Sequence, residues 1–179
     1  SGKTGLYNRL TARENIEYFA KLHGMADKDF EQYSLDVYKS LDIEAYLDRR
    51  VEHLSTGMQQ KVSIARAVIH KLNLLVLYEP TTGLDIMATE SIMDFIQVTK
   101  AQGTPVILST HHLDEVSLLA DRIAVINQGE SCYSGTLEDF KSSTGEDDLR
   151  RAFRYVLDHK IEPVIEQQEV QQEQQEGAA

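Results

Sequence analysis

LLVLYEPTTGLD, residues 74–85, decides how this chain folds. With Leu72 and Asn73 in front it forms a short, nearly continuous apolar run stopped by Pro80. Such a run reads as a strand buried on both faces, with Tyr78 among its buried side chains. Glu79 follows the strand and so stands at the C-terminal edge of the sheet, where α/β folds bind ligands. Read alone, it would be a solvated Glu at a strand end. Asp85 is the N-cap of a helix over Asp85–Gln102, with Ile92, Phe95, Ile96 and Thr99 on one side. TPVILST, residues 104–110, is a second buried strand closed by His111. Strand, helix and strand in that order predict a parallel sheet of the α/β class.

Upstream the pattern is helical. Thr11 and Glu14 make a capping box, and Ile16, Phe19, Ala20 and Leu22 supply an apolar face that ends near Gly24. Phe30, Leu35, Val37, Tyr38 and Leu41 predict a second helix, and Ala45–Leu47 a short third one. From Ser55, Met58, Val62, Ala65 and Ile69 recur at helical spacing. Downstream, LDEVSLLA is a short helix, and RIAVINQGESCYSG two strands joined at Asn127-Gln128-Gly129. Thr136–Lys141 and Asp147–Lys160 are predicted helical, and the Gln/Glu-rich tail from Ile161 disordered or a frayed helix.

A composition of 41% hydrophobic and 26% charged residues is that of a soluble globular chain. The net charge of −11 argues against a nucleic-acid partner, and five tail glutamates supply −5 of it. The lone Cys132 excludes an internal disulfide. No apolar run approaches the ~20 residues that span a bilayer. No metal ligands are assigned, because His111-His112 has no Cys or further His at ligand spacing.

LSTGMQQ, residues 54–60, opens a helix, and a helix N-terminus presents unpaired N–H groups suited to phosphate. Ser55 adds a hydroxyl, and Gly57 lets a phosphate approach the backbone. Its bland reading is a Ser N-cap with a helical glycine. Taken in order, LSTGMQQ, LLVLYEPTTGLD and VILSTHHLDE resemble the ATP-binding subunit of an ABC transporter, from about residue 5 to 135. LTARENIEYFAKLHGM is most similar to the sodium- and drug-export branch.

The resemblance implies a P-loop NTPase fold of the ABC ATPase type. In this chain it would be partial, a helical subdomain plus the C-terminal part of the parallel-sheet core. Its expected organisation is a loop remnant at 1–10, a helical subdomain at 11–70, core at 71–145, and a C-terminal helix and tail at 146–179. By resemblance, Ser55, Thr56, Gly57 and Met58 meet the γ-phosphate of ATP held by an opposite subunit. Thr56 and Met58 stand where many members have Gly and Gln. Glu79 becomes the general base that polarises the attacking water, His111 the residue that reaches the γ-phosphate, and Asp85 part of the loop facing the partner subunit. The implied cofactors are ATP and Mg²⁺. The implied partners are a transmembrane permease and a second ATP-binding subunit, homo- or heterodimeric, at the cytoplasmic face of the membrane.

Two departures stand against this. The residue before Glu79 is Asp in the family and orients the Mg²⁺ shell, whereas here it is Tyr78, and a phenol is neutral at pH 7. Weak or absent hydrolysis is therefore expected. The second concerns Gly2-Lys3-Thr4, which ends like a P-loop; G-x-x-x-x-G-K-[ST] cannot be completed behind Ser1, and no helix opens directly after Thr4. GKT is read as a look-alike, in the loop that normally carries a phosphate-sensing Gln. The chain is then expected to lack the P-loop, and a non-catalytic partner subunit is the alternative reading. A soluble ABC-type ATPase of DNA repair or translation is disfavoured by the acidic balance and by the absence of coiled-coil heptads or a tandem copy.

Overall fold

The computed structural model describes residues 5–70 and 72–159. Gly2-Lys3-Thr4, the end of the helix expected to reach Lys160, and the tail from Ile161 lie outside the described residues. The chain divides into two compact units, with the boundary between His111 and His112.

The first unit begins with α1 (Ala12–Leu22), set by the capping box: Glu14 N–H donates to Thr11 Oγ1 at 3.1 Å, and Thr11 N–H to Glu14 Oε2 at 2.7 Å. Its inward face is Ala12, Asn15, Ile16 and Ala20. α2 (Asp27–Ser40) buries Ser34, Val37 and Tyr38. Leu22 and Leu35, expected on the apolar faces, are instead 66% and 65% exposed, because both fall off the stripe their neighbours define. The expected short helix is a 3₁₀ turn, Glu44–Tyr46, and a second, Val51–His53, leads into α3 (Thr56–Val68). α3 turns Val62, Ala65 and, beyond its last turn, Ile69 inward.

β1 (Leu75–Tyr78), α4 (Ile86–Ala101) and β2 (Val106–Ser109) form the expected strand–helix–strand unit. The strands are parallel, with Leu75 opposite Val106 and Tyr78 opposite Ser109. Glu79 N–H extends the ladder by donating to Ser109 O at 2.8 Å. α4 buries Ile92, Phe95 and Ile96. The expectation of strands buried on both faces does not hold among the described residues. Leu75 and Leu77 are buried, while Val76, Tyr78 and Ile107 are 63%, 81% and 55% exposed. Successive strand side chains point to opposite faces, and only the Leu75–Leu77 face is covered among the described residues. Tyr78 is thus an exposed residue, not a buried one.

The second unit holds α5 (Leu113–Leu119), the antiparallel hairpin β3 (Arg122–Asn127) and β4 (Glu130–Thr136), α6 (Leu137–Thr144) and α7 (Leu149–His159). Asn127 pairs with Glu130, so the hairpin loop is two residues, Gln128 and Gly129, at φ 51° and 82°. Positive φ at both central positions suits the right-handed twist of the paired strands. Thr136 caps α6, and Val125, Cys132, Tyr133, Phe140, Ala152 and Val156 form the core of this unit.

Candidate functional site

Glu79 leaves β1 at φ 45°, a left-handed conformation uncommon outside glycine and frequent at functional positions. Parallel pairing brings the ends of β1 and β2 together and so places Glu79 beside His111. His111 Nδ1 lies 2.7 Å from Glu79 Oε2, and Thr82 Oγ1 donates to the same oxygen at 2.8 Å. A neutral imidazole with its proton on Nδ1 donates this bond. The two donors fix the carboxylate in one orientation at the C-terminal edge of the sheet. The His111 side chain is 64% exposed and that of Glu79 21%, so the pair opens to solvent from a partly sheltered carboxylate. Thr82 is missed from the sequence, where it is one of two threonines in a loop.

Ser55 caps α3, its Oγ accepting from Met58 N–H at 3.3 Å. Ser55 and Thr56 are exposed and Met58 half-buried, so the helix N-terminus faces outward. Gly57 is buried, and its lack of a side chain has an intramolecular cause. A Cβ there would come within 2.7 Å of the Ala88 Cβ. Asp85 Oδ1 accepts from Ala88 N–H at 2.8 Å and caps α4. Gly57 therefore stands against the first turn of α4, which Asp85 caps. The structure brings Glu79 and His111 together at the sheet edge and keeps Ser55, Thr56 and Met58 at the N-terminus of α3. His112, expected as a surface residue, is exposed.

Two supporting side chains escape sequence reading. Asn15, fully buried, accepts from Tyr7 N–H at 2.8 Å and donates to Tyr7 O at 3.1 Å and Thr11 O at 2.9 Å. Its signal is a polar residue on the apolar stripe of α1. Arg66, on α3, donates to Gly5 O at 2.7 Å and lies 4.5 Å above the centroid of the Phe19 ring.

A donor-rich helix N-terminus with a capping hydroxyl suits a phosphate-bearing nucleotide. A Mg²⁺ anchor is not matched: the strand end offers the Tyr78 phenol, and the Glu79 carboxylate is held by His111 and Thr82.

A parallel strand pair with a carboxylate and an imidazole at its C-terminal edge, and a Ser-capped helix in the same unit, place the chain in the α/β class with the fold, in part, of ATP-binding cassettes. The chain belongs to the ABC transporter ATP-binding family. The family model for ABC transporters matches residues 1–82. The ABC transporter ATP-binding protein NatA of Bacillus subtilis (strain 168) is 40% identical over 152 residues, 85% of this chain and 62% of NatA. The solved structure of an ATP binding subunit of an ABC transporter superposes with a TM-score of 0.75 at 27% identity, covering 85% of this chain and 64% of that one. The MJ0796 cassette, solved as a dimer in a post-hydrolysis state with ADP and Pi, gives 0.64 at 26% identity, over 76% and 61%. The chain thus spans less than two thirds of the proteins it is similar to. Among the described residues no helix is long and apolar enough to cross a membrane.

Proposed function

We propose that this chain is the ATP-binding part of an ABC exporter, coupling ATP binding and hydrolysis to transport across a membrane. The observation that carries the reading is the Glu79–His111 pair, 2.7 Å apart where the two parallel strands end. In this reading ATP joins two such subunits, Ser55, Thr56, Gly57 and Met58 meet its γ-phosphate from the opposite side, and Asp85 lies at the shared interface. Glu79 accepts a proton from the attacking water while His111 orients that water and the phosphate. The dimeric MJ0796 cassette supports a paired arrangement. A permease partner and a place at the cytoplasmic face of the membrane follow from the same reading. Which solute is exported is left to the permease.

The test is ATP turnover by the full-length protein. Glu79→Gln is expected to lower the residual rate by ~10²–10⁴-fold, the usual worth of a positioned general base. An unchanged rate overturns the assignment of Glu79.

Tyr78 favours a second reading, in which the chain completes another subunit's ATP site with Ser55 and Gly57 while adding no active site of its own. Mixing separates the two. A silent partner raises a competent subunit's turnover, and Glu79→Gln leaves that gain untouched.

A further inference from the structure

Residues 5–10 are fastened to the 3₁₀ turn just ahead of α3 and to the last turn of α3. At the Ser55 end, Val51 N–H donates to Leu10 O at 3.0 Å and Glu52 N–H to Asn8 O at 3.1 Å. At the far end the Arg66 guanidinium holds Gly5 O at 2.7 Å. Ser55 and Arg66 are eleven residues apart, about 16 Å along a helix. The segment is not extended: Leu10 N–H donates to Tyr7 O at 3.1 Å and closes a turn within it, and the long Arg66 side chain reaches Gly5 beyond that turn. Between its ends, buried Asn15 grips Tyr7 through both its N–H and its carbonyl, and the Tyr7 ring packs edge-on to Tyr18 at 5.5 Å. Only a planar guanidinium can lie over Phe19 and donate in its plane to Gly5 at once.

We propose that Arg66 is a positioning residue for the Ser55 site. It latches Gly5 to α3, making residues 5–10 a strut, so that displacement of the chain at Gly5 is delivered to the N-terminus of α3. The inference rests on the reading of Ser55 as a phosphate contact, and extends it by naming what moves that contact. A loop joined only to the 3₁₀ turn ahead of α3 could flex without moving the helix. One joined to the last turn of α3 as well cannot.

Amide hydrogen exchange on the purified chain tests the latch without nucleotide. In Arg66→Ala the Tyr7 and Glu52 amides are expected to exchange at least tenfold faster, while Thr89 in α4 keeps its rate. Arg66→Lys, which keeps a donor but loses the planar fork, is expected to fall between. Unchanged Tyr7 and Glu52 rates overturn the latch. So does one common acceleration at Tyr7, Glu52 and Thr89, which would make Arg66 a general stabiliser. A second arm adds ATP together with a nucleotide-competent partner cassette and follows Met58 and Tyr7. Both amides are expected to respond in the wild type and Met58 alone in Arg66→Ala. A wild-type response at Met58 without Tyr7 overturns the strut. No response at either sinks the phosphate reading of Ser55, leaving the latch to be judged by the first arm.

Discussion

Gly57 and Ala88 leave no room between them: a Cβ on residue 57 would lie 2.7 Å from the Ala88 Cβ, closer than carbon atoms approach. The first turns of α3 and α4 are therefore packed backbone to methyl. Gly57→Ala is expected to cost about 1–3 kcal/mol, the range for an added methylene in a tight core. Adding Ala88→Gly removes the opposing methyl and is expected to recover most of the packing loss. Urea unfolding of the two variants checks this. If the double variant is no more stable than Gly57→Ala alone, the clash is not the reason residue 57 is glycine.

Asn15 is the single polar side chain fully excluded from solvent on α1, and it closes three hydrogen bonds to Tyr7 and Thr11 backbone atoms. Asn15→Leu leaves the Tyr7 N–H and carbonyl without that partner and is expected to destabilise by ~2–3 kcal/mol. Asn15→Asp is no remedy, because it sets a carboxylate against two carbonyl oxygens. Chemical denaturation distinguishes the outcomes. A loss below ~0.5 kcal/mol for Asn15→Leu would show that solvent replaces the contact.

These two sites show how far sequence reading reaches. The alternation of strand and helix around LLVLYEPTTGLD, the capping box at Thr11 and the caps at Ser55 and Asp85 are local patterns, and they were legible. The exposure of Tyr78 was not. An apolar strand looks the same whether one face or both are covered, and only the packing partner decides. The Glu79–His111 contact spans 32 positions and could be inferred only from the expectation that parallel strands end together. Gly57 was legible as special, but for another reason. A phosphate approaching the backbone and a neighbouring methyl both exclude a Cβ, and sequence alone cannot tell them apart.

His70 and His23 stack with ring centroids 3.9 Å apart, and His70 Nδ1 is buried without a hydrogen-bond partner among the described residues. Burial, and secondly the His23 imidazole, hold His70 below the usual histidine range. The folded state therefore resists a proton that the unfolded chain accepts near pH 6.5. Stability from this pair is complete above that pH and is lost as pH falls through 6.5 toward the lowered folded value. The wild-type urea midpoint is expected to drop between pH 7.5 and 5.5 by more than that of His70→Phe, which keeps a stacking ring and removes the titration. Equal drops would place the pH dependence elsewhere.

Tyr78 offers the most informative single change. Tyr78 is 81% exposed, on a face of β1 left uncovered among the described residues, so replacing it removes little packing there. Tyr78→Asp is expected to shift stability by no more than about 1 kcal/mol, in line with other surface substitutions. Its chemical effect should be larger. It sets a second carboxylate beside Glu79, at the strand end where a phenol cannot serve a hard cation. In the full-length protein, residual ATP hydrolysis should rise, and the gain should depend on added Mg²⁺. A Tyr78→Asp protein that folds normally and hydrolyses no faster would mean that the strand end is not what limits turnover. A wild type already turning over ATP at an ordinary enzyme rate would remove the case for a silent subunit altogether.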